Sequence, residues 1–151
     1  MQRHHLLPCQ LLSTRSFTRL FDTIGSDRLP FDDFRSNGLL LPASGESALR
    51  TRLPLHRGPH RSYNGMVAER VGQIEGDRAR HRRRAPEMAL DEALMRVGLL
   101  QRALRRRLLD PERPRMRLNN ADPLGTGLDF AELDAMADAL WAETAAAVQG
   151  P

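Results

Sequence analysis

Apolar residues recur along the chain at spacings that mark out its elements. In residues 10–24, Leu11, Leu12, Phe17, Leu20, Phe21 and Ile24 fall three and four positions apart, which predicts a short amphipathic helix stopped by Gly25. Residues 30–36 are polar with two inserted phenylalanines and read as a loop. Leu39-Leu40-Leu41, enclosed by Gly38 and Pro42, predicts a short strand, and residues 45–52 suit a helical turn. A helix from about His60 to Ile74 would align Met66, Val67, Val71 and Ile74, with Pro59 suited to its first position. The longest ladder is Leu90, Leu94, Val97, Leu100, Leu104 and Leu108, which predicts a helix over 86–109 that opens at Pro86. Residues 110–127, with three prolines and two glycines, read as a loop. A last helix opens at Asp129-x-x-Glu132, a capping box with Asp in the Ser/Thr place, and carries the stripe Phe130, Leu133, Ala137, Leu140, Trp141, Thr144 and Val148.

Composition sharpens this picture in three ways. A chain of 151 residues is one ordinary domain with room for an appended helical part, and at 5% aromatics its core must be built from Leu, Val, Met and Ala. All 23 basic residues are arginine, and the pI near 10.7 permits a polyanionic partner. Residues 1–63 hold nine Arg against five acids, 64–117 fourteen against eight, and 118–151 none against six, so the basic part and the acidic tail form different surfaces. Cys9 stands alone, which excludes an intrachain disulfide and a Cys-rich zinc knuckle, and it is expected to be a small buried hydrophobe. No apolar run approaches the roughly 18 residues of a membrane-spanning helix, which argues against a membrane-acting protein. The polar, Pro-interrupted start is unlike a signal peptide, and the chain reads as soluble and intracellular.

Chemistry is concentrated in histidine. Four of the five histidines form two pairs, His4-His5 and His56-x-x-x-His60, with Asn37-Gly38 between them. Three imidazoles can hold a divalent cation, a fourth can take a proton from water, and an amide can orient that fourth ring. Gly58-Pro59 interrupts the second pair, so His56 should precede a helix that His60 enters, with the loop folding back to bring both rings together. In an extended segment His4 and His5 face opposite sides, so one could bind metal while its neighbour reaches a substrate phosphate.

The segments Arg3-His4-His5-Leu6-Leu7-Pro8, Asn37-Gly38-Leu39-Leu40-Leu41-Pro42 and Leu55-His56-Arg57-Gly58-Pro59-His60-Arg61-Ser62-Tyr63-Asn64 resemble, in this order, the AHH nuclease family of the HNH/endonuclease VII superfamily. The resemblance covers about residues 3–72, and Arg3 replaces the family's alanine. It implies a small ββα-metal (HNH/treble-clef-like) core, placed over 1–76; with the charged stretch read as an Arg-rich linker at 77–85 and the later apolar ladders as a C-terminal helical extension over 86–151 packed on the core, the protein is expected to be α+β and mostly helical. It further implies that His4, His56 and His60 bind one divalent metal ion (Zn, Mg, Mn or Ni), that His5 is the general base, and that Asn37 orients it. The implied activity is endonucleolytic hydrolysis of nucleic acid, with DNA favoured over RNA. Such modules often serve as bacterial polymorphic toxins, which implies a possible immunity protein and action in the cytoplasm of the producing or a target cell.

The remaining candidates follow from position. Arg57 and Arg61 flank the ligand histidines and could hold neighbouring phosphates, as could the run at Arg82, Arg83 and Arg84. Asn64 could hydrogen-bond His60, and Tyr63 could pack on the His60 ring or simply within the helix. His81 is expected in solvent and Trp141 in the core, with the acidic last helix packed near the Arg-rich helix 86–109 or, alternatively, mimicking nucleic acid over the site. The competing functional class is a non-catalytic, metal-stabilised binding module, against which the retention of both His5 and Asn37 argues.

Overall fold

The computed structural model describes residues 1–112, 115–123 and 134–142. Strand β1 (Gln2–His5) pairs antiparallel with β2 (Gly38–Leu41), in a register that sets His4 opposite Leu39 and His5 opposite Gly38. Between them run α1 (Gln10–Ser13), α2 (Arg15–Ile24) and α3 (Phe34–Asn37). After β2 come α4 (Gly45–Thr51), the long α5 (Arg61–His81) and α6 (Pro86–Leu109), and residues 134–142 are also helical. The protein is α+β and mostly helical, with a two-stranded sheet and the start of α5 forming its ββα part.

A single apolar cluster joins these elements. Leu6 and Leu7 after β1, Leu20 and Phe21 on α2, Leu41 on β2, Val67 and Val71 on α5, and Val97, Leu100 and Leu104 on α6 all belong to it. Burying each such side chain stabilises the fold by about 1.5–3 kcal/mol relative to exposing it. Helices α5 and α6 fold back on each other and are joined at the surface by the Arg96–Asp77 ion pair.

Four local differences from the sequence pattern have physical causes. The helix read over 10–24 breaks at Thr14, whose backbone is extended; the Ser13 and Thr14 hydroxyls both donate to the Gln10 carbonyl and compete with the helical ladder. The polar loop at 30–36 ends in α3, because the Asp33 carboxylate accepts from Arg35 N at 3.0 Å and caps it. Helix α5 starts one residue after His60 and runs on to His81 rather than ending near Ile74. Glu75 accepts two hydrogen bonds from the buried Arg78 at 2.7 and 2.9 Å, so charge that suggests a linker is neutralised within the helix. Cys9 is exposed, contrary to its expected burial, because it precedes α1 at the surface. The helix expected over 86–109 forms over those residues, and His81 is exposed as expected. The capping box Asp129-x-x-Glu132 lies outside the described residues; Leu140 is buried and Trp141 packs on the core. The helical stretch at 134–142 docks on α5 through Asp134, which receives two hydrogen bonds from Arg70 at 2.9 and 2.7 Å.

Candidate metal centre

Strand alternation makes the first selection. On β1, Arg3 faces solvent while His4 turns inward and is 2% exposed; His5, on the opposite side, is half-buried. The second pair comes from the chain between β2 and α5. His56 N donates to Pro42 O at 2.8 Å, which fastens the extended segment alongside the end of β2. Gly58 then adopts φ +79°, a conformation that suits glycine, and the chain turns so that His60 caps α5.

These turns bring three imidazoles together. Ring centroids are 5.0 Å apart for His4 and His56, 5.4 Å for His4 and His60, and 4.2 Å for His56 and His60. One ligand nitrogen from each ring lies within 4.8 Å of the other two, so the three residues could hold a metal ion. His56 Nε2 and His60 Nε2 meet at 2.7 Å, and His56 Nδ1 meets Gln2 Oε1 at 3.2 Å. Gln2 thereby fixes the tautomer and orientation of His56, as partners of ligating imidazoles do.

Electrostatics keep the cluster neutral. Burial first, and then the neighbouring His56, His60 and His5, lowers the His4 pKa from 6.5 to about 3. Burial and then His60 lower that of His56 to about 4. Burial also lowers that of His60, opposed by the Leu118 carbonyl. At neutral pH all three rings are uncharged, the form in which imidazole ligates a metal. His4 Nε2 is nonetheless buried without a hydrogen-bond partner among the described residues. Such an atom costs about 1–3 kcal/mol. A cluster of neutral donors with a buried, unpartnered nitrogen fits a divalent cation: the donor type, number and protonation state all match.

The other site candidates are placed differently. The Asn37 amide is fully engaged: Oδ1 accepts from Leu7 N at 2.8 Å and Gln101 Nε2 at 3.1 Å, and Nδ2 donates to Leu7 O and Phe31 O, both at 3.0 Å. An amide has two donors and two acceptor sites, so none is left for the His5 ring. Asn37 instead holds the chain that follows His5, and its own carbonyl accepts from Leu6 N at 2.9 Å. Gly38, opposite His5, packs against the Phe34 ring, which any Cβ at this position would strike. Tyr63 packs edge-on against His4 rather than His60, at 4.7 Å, and its buried hydroxyl donates to Leu6 O at 2.8 Å. Asn64 donates to Gln10 Oε1 at 2.9 Å rather than to His60. Arg57 and Arg61 are exposed beside the cluster. Arg82, Arg83 and Arg84 lie beyond the far end of α5, about 30 Å away at 1.5 Å of helix rise per residue.

The structure adds supports that the sequence pattern does not mark. After α6 the chain returns to the His56 loop. Arg115 Nη1 donates to Ala48 O and Leu53 O, both at 2.7 Å, and Leu55 N donates to Asp122 Oδ2 at 2.9 Å. Asn119 Nδ2 donates to Arg57 O. Single polar contacts to backbone atoms have no period, so only three-dimensional placement shows them.

Among known proteins, neither the curated sequences nor the solved structures give a match. A family model does: AHH, a nuclease family of the HNH/ENDO VII superfamily with conserved AHH, matches residues 1–98. Its conserved Ala-His-His reads Arg3-His4-His5 here, and the match ends within α6, before the segment that braces the His56 loop. Because the match spans well over half of the chain and contains all of the histidine cluster, this chain belongs to the AHH nucleases of the HNH/ENDO VII superfamily.

Proposed function

We propose that the protein is a metal-dependent endonuclease that hydrolyses nucleic-acid phosphodiester bonds, with DNA as the favoured substrate, His4, His56 and His60 as ligands of one divalent metal, and His5 as general base. The observation that carries this reading is the cluster of three neutral imidazoles with a buried unpartnered His4 Nε2, next in sequence to a half-buried fourth imidazole. A divalent metal held there would neutralise charge developing on the phosphate and on the leaving 3′-oxygen.

The chain's own residues supply the rest. His5 accepts a proton from the attacking water. Its backbone is fixed by pairing with Gly38, and the next two residues are tied to Asn37, which places the ring through its backbone. Gln2 holds His56 in one tautomer, and Tyr63, kept protonated by burial, packs against the His4 ring. Arg57 and Arg61, exposed beside the cluster, bind phosphate neighbouring the scissile bond. Arg82, Arg83 and Arg84 would touch only a distant part of a long substrate.

The test is cleavage of supercoiled plasmid, and of an RNA of matched length, in EDTA and after addition of Mg, Mn, Ni or Zn. Cleavage that EDTA stops and one of these metals restores is the expected outcome; full activity in EDTA sinks the metal assignment.

A further inference from the structure

The stretch that carries His56 and His60 forms neither helix nor strand between Arg52 and His60, and it turns at Arg52 (φ 57°) and Gly58 (φ 79°). The sheet holds it through His56 N, which donates to Pro42 O at 2.8 Å. The segment after α6 holds it from the other side. The buried Asp122 carboxylate accepts from Leu55 N at 2.9 Å, immediately before His56. Asn119 Nδ2 donates to Arg57 O, immediately after His56. Arg115, also buried, donates to Leu53 O and Ala48 O, both at 2.7 Å, and its guanidinium lies 3.5 Å from Asp122 Oδ1. Leu118 presents its carbonyl to the His60 ring. Both chain neighbours of His56 and the ring of His60 therefore meet residues 115–122.

The segment is itself fixed. Asn119 Oδ1 accepts from Ala121 N at 2.8 Å, Asp122 N donates to Asn119 O at 3.0 Å, and Met116 and Leu118 are buried in the core. Such bracing matters for ligation in two ways. A loop that must be ordered when metal binds draws the cost of ordering from the affinity, and a loop already ordered does not. A partner on one nitrogen of a ligating imidazole also decides which nitrogen is offered to the metal. Gln2 fills that place at His56 and Leu118 O stands at His60, while the Nε2 atoms of the two rings meet at 2.7 Å.

We infer that residues 115–122 are a clasp that preorganises the metal centre, with Asp122 and Asn119 as positioning residues that hold the backbone on either side of His56 and carry the Leu118 carbonyl to His60. The clasp sets metal affinity and touches neither metal nor substrate. It lies beyond the residues shared with the AHH family, whose match ends at 98. The inference deepens the proposed metal-nuclease reading and rests on its ligand set of His4, His56 and His60.

The test uses the full chain and three variants, Asp122→Ala, Asp122→Asn and Asn119→Ala. Co(II) is titrated in while the visible absorption of the imidazole-bound ion is followed, well below each melting temperature, so that global stability does not enter the Kd. Melting in EDTA and metal-dependent plasmid cleavage are measured in parallel. Asp122→Ala and Asn119→Ala should each weaken Co(II) binding by about 10–100-fold. Asp122→Asn keeps an acceptor for Leu55 N and should retain most of the affinity. If Asp122→Ala does not fold, Asn119→Ala, at a half-buried position, decides the matter. A lowered melting temperature with the native Kd in the folded alanine variants overturns the clasp, and leaves the nuclease reading standing if plasmid is still cut. Equal losses in Asp122→Asn and Asp122→Ala overturn the role given to the Leu55 bond. A native chain that takes up no Co(II) overturns the clasp together with the ligand set. Weakened Co(II) binding in the variants of a chain that cuts nothing with any metal keeps the clasp and removes the nuclease reading.

Discussion

At the C-terminal end of α5 the buried Arg78 guanidinium is gripped by both oxygens of Glu75, whereas at the N-terminal end His4 Nε2 is buried with no partner among the described residues. The same helix therefore ends in a satisfied ion pair on one side and in an unsatisfied polar cluster on the other. Such an orphaned nitrogen costs about as much as one buried leucine contributes. A fold keeps such an expense where a ligand relieves it, and the α5–α6 end, with its paired charges and apolar packing, supplies the stability that tolerates it.

Asn37 is the sharpest place to break this contrast, because the sequence pattern casts it as catalytic yet its amide is engaged like a support. Asn37→Ala strands Leu7 N, Leu7 O and Phe31 O in a buried site, which should cost about 3 kcal/mol or more. The melting temperature should fall by roughly 10 °C, and nuclease activity should fall with it. His5→Ala, by contrast, should lose activity and leave melting nearly unchanged. An Asn37→Ala protein that melts like the native one would show that the amide's four bonds do not hold the chain after His5.

A smaller effect separates the two ends by pH. His4 and His56 bind protons in the unfolded chain near pH 6.5, but in the folded protein only near 3 and 4, and His60 is shifted the same way. Between these values the unfolded state carries more protons, so stability rises with pH. It is complete above about pH 6.5 and is lost as pH falls toward 4. The α5–α6 end contributes in a different window: Arg96 and Arg80 hold the Asp77 carboxyl below its ordinary value of 3.8, so that loss begins only under more acidic conditions. Thermal melting of metal-free protein should therefore decline between about pH 6.5 and 4. A flat profile there would mean that the histidines are already solvated or charged in the folded state.

How far the sequence revealed all this varied with the kind of signal. The leucine ladder of α6, the Leu39–Leu41 strand and the two histidine pairs are periodic or closely spaced, and the fold follows them. The extension of α5 past Ile74 was hidden, because an Arg-rich stretch looks solvated until Glu75 is seen to neutralise Arg78. Gln2, Arg115, Asn119 and Asp122 carried no signal at all: each acts on an atom more than fifty residues away. For Asn37 the motif identified the residue but not its contacts, since the spacing of a signature says nothing of which atoms its amide touches.

The central claim is a division of labour within His4-His5: an inward metal ligand beside an outward base. The direct measurement is the rise in melting temperature on adding metal, taken together with plasmid cleavage, for the native chain, His4→Ala, His56→Ala, His60→Ala and His5→Ala. A ligand at about a hundred times its Kd stabilises the folded state by about 2.7 kcal/mol, a rise readily seen. The native protein and His5→Ala should both show it, and His5→Ala alone among the folded proteins should bind metal without cutting. The other three should lose most of the rise and the cleavage. A rise that persists in His56→Ala and His60→Ala, or one that vanishes in His5→Ala, would contradict the account.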